Sequence, residues 1–344
     1  AAQRIDDMLL THLIHVRYFS GFTGSNGALL VSKDRTAKVA TDGRYATQIS
    51  EEVPDVPATI TRKVATELLA GVVDGHRVGF EADYVSVSEL EALRKACPEG
   101  VTLVPVSGAV EEIRLLKDQL ELTRLEEAAD LATQALEQLI DADELAPGRS
   151  ERDVAADLEY RMRKLGAERP SFDTIVASGP NSAKPHHGAG ERTLETGDLV
   201  TIDYGMFRPA FNSDMTRTFA LGEPNDFLRE IYEVTLQSQL AGVRAAVPGA
   251  KLVDVDAACR DVIEAAGYGE YFVHSTGHGV GLNVHEAPYA AKTGKGTLQE
   301  GMTLTIEPGI YVPGRGGVRI EDTLFITSGT PKVITKFPKD LTVL

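Results

Sequence analysis

Residues 199–220 read LVTIDYGMFRPAFNSDMTRTFA. Two apolar, β-branched runs in this stretch have the composition of strands. Asp203 closes the first run, LVTID, and Asp214 opens the second. If the two strands pair antiparallel, both carboxylates fall near one end of the ladder, where they can bridge a pair of ions. Two unrelated strand-end aspartates are the alternative, since aspartate is common where strands meet turns.

Further along the chain, two strand-like segments, MTLTIEPGIYV and GVRIEDTLFIT, are joined by the turn PGRGG. Glu307 follows an apolar run and precedes Pro308; Glu321 follows Ile320, where alternation points an ionisable group inward. An inward glutamate costs several kcal/mol unless it is paired or metal-bound. Salt bridges to Arg319 or Arg315 are the competing reading. Upstream, TGHGVGLNVHE carries His278 and His285 in a glycine-studded loop leading into a strand-like NVHEAPY. Gly277, Gly279 and Gly281 permit close backbone approach to a ligand. The HE pair at 285–286 is no zincin, because Tyr289 stands where HExxH needs its second histidine. His186 and His187 sit in SGPNSAKPHHG, a loop suited to a proton shuttle or an oxyanion donor, or to plain solvation. No P-loop, nucleophile elbow or GxGxxG motif is present.

A chain of 344 residues is long for one core, so two domains are expected. Segments 1–110 read as a small α/β domain: strands DDMLLTH, GALLVS, KVATDG, RVGFEAD and TLVPVSG, and the serine-capped helix SVSELEALRKAC. A helix is expected over 110–140, where Leu116, Leu120, Leu125, Ala128, Leu131, Ala135, Leu136 and Leu139 recur at three- and four-residue steps. It opens a second domain, 111–344, and its acidic residues read as a wet face. The helix after Ser150 stops at Gly166, and two more follow in 224–247 and 253–267. Strands and helices mix without a regular βαβ rhythm, which makes the fold class α+β.

The formal net charge of -16 argues against nucleic acid or an anionic membrane as partner. No apolar run reaches the ~20 residues of a membrane span. Cys97 and Cys259 stand far apart, which fits a reducing compartment and a cytoplasmic location. The N-terminus lacks the features of a signal peptide. It reads as the end of a helix, with residues expected before Ala1.

Jointly, the donors favour hard or borderline divalent ions: four carboxylates and one imidazole balance two of them. The motifs TIDYG, SDMTRT, GHGVGLNVHE, IEPGIY and RIEDT, in this order, resemble the pita-bread metallopeptidases: prolidase, aminopeptidase P, methionine aminopeptidase and creatinase. VRYFSGFTGSNGALLV and ATDGRY resemble the N-terminal domain of the prolidase and aminopeptidase P branch. The resemblance implies a creatinase-like α/β domain followed by a pita-bread catalytic domain, and a set of roles that follows the motif positions. Asp203, Asp214, His278, Glu307 and Glu321 would hold two metal ions, with Asp203 bidentate on one, His278 on the other, and Asp214 and Glu321 bridging. Glu307 would handle the proton of the bridging water, leaving hydroxide as the nucleophile. His285 would steady the tetrahedral intermediate and His186 would meet the substrate. Arg319 would orient the site or the substrate, and Tyr311 would lie near the metals and the substrate.

The implied activity is cleavage between an N-terminal residue and proline, as an Xaa-Pro dipeptidase. The alternatives are an Xaa-Pro aminopeptidase acting on longer peptides and, remotely, a non-catalytic binding relative. Creatinase works without metals, whereas all five ligand positions are filled here; methionine aminopeptidase lacks the upstream domain. Manganese leads by donor type, with cobalt, zinc or iron as alternatives, and the family suggests a homodimer.

Overall fold

The computed structural model describes residues 4–344. The chain forms two compact units, Ala1–Ile113 and Arg114–Leu344. The helix end read at the chain start falls largely on residues 1–3, outside the described residues. No helix among the described residues is long and apolar enough to cross a membrane.

The first unit is a six-stranded sheet flanked by helices. In chain order it holds β1 (Asp7–Leu10), α1 (Leu13–Ser20), β2 (Gly27–Ser32), β3 (Ala37–Thr41), α2 (Ala46–Glu52) and β4 (Ala58–Ile60). Then come α3 (Val64–Ala70), β5 (Arg77–Glu81), α4 (Val87–Ala96) and β6 (Thr102–Val106). The strand order is β4-β3-β2-β1-β5-β6. Ser86 caps α4 in a reciprocal box with Glu89. Helices α1, α2 and α3 carry no strong sequence signal, because each is short and held by packing rather than by propensity.

The helix expected over 110–140 is two helices, α5 (Ala109–Arg114) and α6 (Gln119–Asp141). Local chemistry breaks it. Asp118 is extended and accepts the Glu121 N–H at 2.9 Å, while Glu121 accepts the Asp118 N–H at 2.8 Å. That capping box starts a new helix. Lys117 meanwhile gives its N–H to the Gly301 carbonyl at 2.7 Å. Leu116 and Leu120 fall at the break and are exposed at 45% and 59%, so the apparent helical stripe begins only at Leu122.

The second unit continues with α7 (Glu151–Lys164), β7 (Arg169–Pro170), β8 (Ile175–Ser178), β9 (Leu199–Tyr204), β10 (Met206–Phe207) and β11 (Met215–Ala220). Helices α8 (Asp226–Ala245) and α9 (Leu252–Ala265) precede β12 (Gly277–Gly279) and β13 (Glu286–Ala290). The chain ends with β14 (Thr303–Ile306), β15 (Gly309–Val312), β16 (Gly316–Arg319), β17 (Asp322–Phe325) and β18 (Lys332–Val333). The two long strands read in MTLTIEPGIYV and GVRIEDTLFIT are therefore four short ones in two sheets. β14 pairs with β17, ending at Ile306 opposite Asp322; β15 pairs with β16, starting at Gly309 opposite Arg319. The interruptions face each other and contain Glu307–Pro308 and Ile320–Glu321. Proline has no N–H to continue a ladder, which is why the strand stops there.

Strand alternation sets which residues reach the site. β9 and β11 are antiparallel, with Asp203 opposite Thr216. Val200, Ile202, Met215 and Phe219 enter a core shared with Leu136, Leu139, Val154 and Leu158 of α6 and α7. Asp203, Thr216 and Thr218 consequently point to the other face. A second core packs Ile231, Val255, Cys259 and Ile263 of α8 and α9 against Ile306, Ile310, Val318, Ile320 and Leu324. Each such side chain contributes ~1.5–3 kcal/mol on burial, which holds the strand breaks in fixed positions.

Candidate metal centre

All five residues singled out as donors meet in the second unit. Their ligand atoms form overlapping groups within 4.8 Å: Asp203, Asp214 and Glu321; His278, Glu307 and Glu321; and Asp214, His278 and His285. Asp203 comes from β9 and Asp214 from the residue just before β11, Glu307 and Glu321 from the facing strand breaks, and His278 from β12 rather than from a loop. Long-range hydrogen bonds fasten these pieces together. Glu321 N–H donates to Thr216 O at 3.1 Å, Thr323 Oγ1 to Asp214 O at 2.8 Å, and Glu307 N–H to Thr276 O at 2.8 Å.

The chemistry of this cluster calls for cations. Asp214 and Glu321 are both pushed well above the usual carboxylate range, first by burial and then by neighbouring carboxylates. Glu307 is held down to about 2; burial works against this, but the hydrogen bond and charge of His278 prevail. Asp203 Oδ1 is buried and accepts no hydrogen bond, although its Oδ2 receives Arg319 Nη2 at 2.7 Å. His278 is the clearest indicator. Its Nδ1 donates to the Gly279 carbonyl at 3.1 Å. Its Nε2 faces Glu307 Oε1 at 3.2 Å and Asp214 Oδ2 at 3.6 Å; burial works against the charged ring, but Glu307 more than offsets this and raises the pKa. The three atoms are thus arranged to hold positive charge between them, as a proton on His278 or as a metal ion in its place. A divalent cation fits these residues.

The cluster lines a cavity of about 880 Å³, together with His186, His187, His274, His285, Arg319 and an apolar wall that includes Phe172 and Ile175. His285 is exposed, its ring centroid 4.3 Å from that of His278, and burial followed by the His278 charge lowers its pKa. The two loop histidines separate in role. His187 Nε2 lies 2.7 Å from Glu151 Oε2, while His186 stands exposed in the cavity. Glu151 is fully buried and also accepts from the Ser178 N–H and hydroxyl, each at 2.8 Å, and from Asn181 Nδ2 at 3.0 Å. Neither strand-break glutamate pairs with Arg315, whose guanidinium lies 3.5 Å from the centroid of the Phe227 ring.

Tyr311 does not line the cavity. It is buried behind Arg319, accepting from Nη1 at 2.8 Å, and lies 2.8 Å from His274 Nε2. Burial pushes its hydroxyl up to about 12, so it stays a neutral donor. His274 Nδ1 donates to Ser275 O at 2.8 Å, leaving Nε2 to accept from Tyr311. Asp203, Arg319, Tyr311 and His274 thus form one hydrogen-bonded chain. His274 and Glu151 carry no motif signal in the sequence; a cavity-lining histidine four residues before His278 is visible only in the fold.

The profile of Metallopeptidase family M24 matches residues 123–328, and that of the Creatinase/Prolidase N-terminal domain matches residues 1–116. The chain belongs to metallopeptidase family M24. Its fold is the creatinase-like N-terminal domain followed by the pita-bread domain. The solved Xaa-Pro dipeptidase from Bacillus anthracis is 44% identical with a TM-score of 0.92, over 99% of this chain and 95% of that one. An X-Pro aminopeptidase from Thermotoga maritima is 32% identical with a TM-score of 0.91, over 99% of this chain and 98% of that one. The Xaa-Pro dipeptidase of Pyrococcus furiosus is 38% identical over 338 residues, 98% of this chain and 95% of its relative. Membership of this family implies divalent metal ions.

Proposed function

We propose that this chain is an Xaa-Pro dipeptidase whose site is held by Asp203, Asp214, His278, Glu307 and Glu321. The observation that carries the reading is their convergence, with His186, His285 and Arg319, on one cavity of an M24 chain. Two divalent ions bound there would lower the pKa of a shared water and polarise the scissile carbonyl. Oxygen donors with one imidazole favour manganese, then cobalt, zinc or iron. Asp203, Asp214, His278, Glu307 and Glu321 would together hold these ions.

The side chains then divide the work. Glu307, ionised at neutral pH, accepts a proton from the attacking water and returns it to the proline nitrogen as the peptide bond breaks. His285, kept neutral near pH 7, donates a ring N–H to the developing oxyanion. His186 contacts the substrate. Arg319 holds Asp203 in place and is itself oriented by Tyr311. A homodimer in the cytoplasm completes the reading.

The second reading is an Xaa-Pro aminopeptidase, favoured by a cavity volume that leaves room beyond a dipeptide. Metal-loaded protein assayed on Xaa-Pro, Xaa-Pro-Xaa and Xaa-Ala separates the two. Preference for Xaa-Pro supports the dipeptidase; equal or better kcat/KM on the tripeptide moves the assignment to the aminopeptidase. Turnover of none of the three leaves only a non-catalytic binding role.

A further inference from the structure

Glu286 follows His285 directly but does not line the cavity. It turns away, into a buried cluster with two cations. Arg114 Nη2 pairs with Oε2, and Lys117 Nζ lies 2.7 Å from Oε1. The three side chains are 3%, 1% and 10% exposed for Arg114, Lys117 and Glu286. Lys117 Nζ also donates to the Arg114 carbonyl at 2.9 Å, and the Asn283 N–H donates to Glu286 Oε2 at 3.2 Å.

The loop that carries His285 is wound around this carboxylate. A Cβ at Gly281 would clash with the Glu286 carboxylate, so a side chain there would have to displace that carboxylate from its cation partners. Asn212 Nδ2 clamps the same loop through the Gly281 and Leu282 carbonyls, both at 2.9 Å. A buried ion cluster adds little net stability over apolar packing of the same volume, and fixing geometry is its better-attested use. What it fixes here is the backbone immediately before β13, at His285.

We propose that Glu286, gripped by Arg114 and Lys117, is a positioning residue for His285. This rests on the reading of His285 as the oxyanion donor. An oxyanion donor must sit 2.7–3.1 Å from where charge develops. A misplacement of about 1 Å costs roughly 10²-fold in rate. Because His285 is exposed in the cavity, its main chain sets its position, and the ion cluster sets that main chain.

The test is a double-mutant cycle on the metal-loaded full chain with Ala-Pro as substrate. It compares wild type, E286Q, H285A and the double variant for kcat, KM and metal content. E286Q is expected to lower kcat about 10–100-fold, with KM and metal content near wild type. The loss should vanish on the H285A background, since the residue being positioned is gone. Wild-type kcat in E286Q, or a loss repeated in full on H285A, overturns the inference while leaving the dipeptidase reading intact. H285A with wild-type kcat overturns both the inference and the oxyanion role of His285. Where E286Q gives no cooperative melt, K117Q, which retains the Arg114 pair, carries the same cycle with the same expectations.

Discussion

Replacing Glu321 with glutamine should reverse its effect on stability according to whether divalent ions are bound. Asp203, Asp214 and Glu321 present oxygens within 4.8 Å of one another. Two unit charges at that separation and an effective dielectric of 20 repel by about 3.5 kcal/mol. Protonation relieves part of this, as the raised pKa values of Asp214 and Glu321 indicate. Glutamine keeps the shape and an acceptor for the Thr216 hydroxyl, which donates to Glu321 Oε2 at 2.6 Å. In a chelator, E321Q should therefore melt above wild type, by roughly 5–10 °C for ~3 kcal/mol. With ions the order should invert. Wild type gains about 2.7 kcal/mol for each ion held at a hundred times its Kd, and E321Q loses a ligand and much of that gain. The assay is calorimetry of both proteins with chelator and with manganese at constant ionic strength. An E321Q that melts below wild type in both conditions, or ions that raise both equally, would overturn the electrostatic account of the cluster.

Glu307→Gln should cut turnover by ~10²–10⁴ while circular dichroism and the chelator-treated melting point stay near wild type; retained activity removes Glu307 from proton transfer. His285→Ala should lower kcat by roughly 10²–10³, with unchanged kcat counting against an oxyanion role. Glu151→Gln tests the anchor of the His187 loop through pH. Burial raises the Glu151 pKa, but hydrogen bonds from Asn181, Ser178 and His187 more than offset it and lower the value. A depressed carboxylate stabilises the fold above its unfolded pKa and loses that contribution as pH falls through the folded value. The melting-point advantage of wild type over E151Q should be full above about pH 4.5 and shrink in more acidic buffer. A constant difference across roughly pH 3–7, the window that brackets carboxylate titration, would show that the charge of Glu151 does not matter.

Much of the site was legible because its signals are local. Asp203 lies near the end of one strand and Asp214 just before the next, their alternation is written in LVTID and MTRTFA, and antiparallel pairing follows from their proximity along the chain. Glu307 stands out because Pro308 must stop a ladder. The ordered set of motifs carried the family. Ser150 and Gly166 likewise bounded α7 by cap chemistry that acts within a few residues.

Sequence alone therefore supplied the candidate donors, the strand character around Asp203 and Asp214, and the family. Tertiary packing supplied the rest, because the rest depends on register and on contacts far apart in the chain. Glu307 and Glu321 face each other only since β14–β17 and β15–β16 leave matching interruptions. The helical stripe over 110–140 broke at Leu116 because the Asp118–Glu121 box outweighed apolar periodicity. His187 went to Glu151, 36 residues away, and Arg319 to Asp203, 116 residues away. Tyr311 moved behind Arg319, and His274 entered the cavity, for the same reason. Periodicity reports which face a residue occupies; only packing between distant segments decides what that face meets.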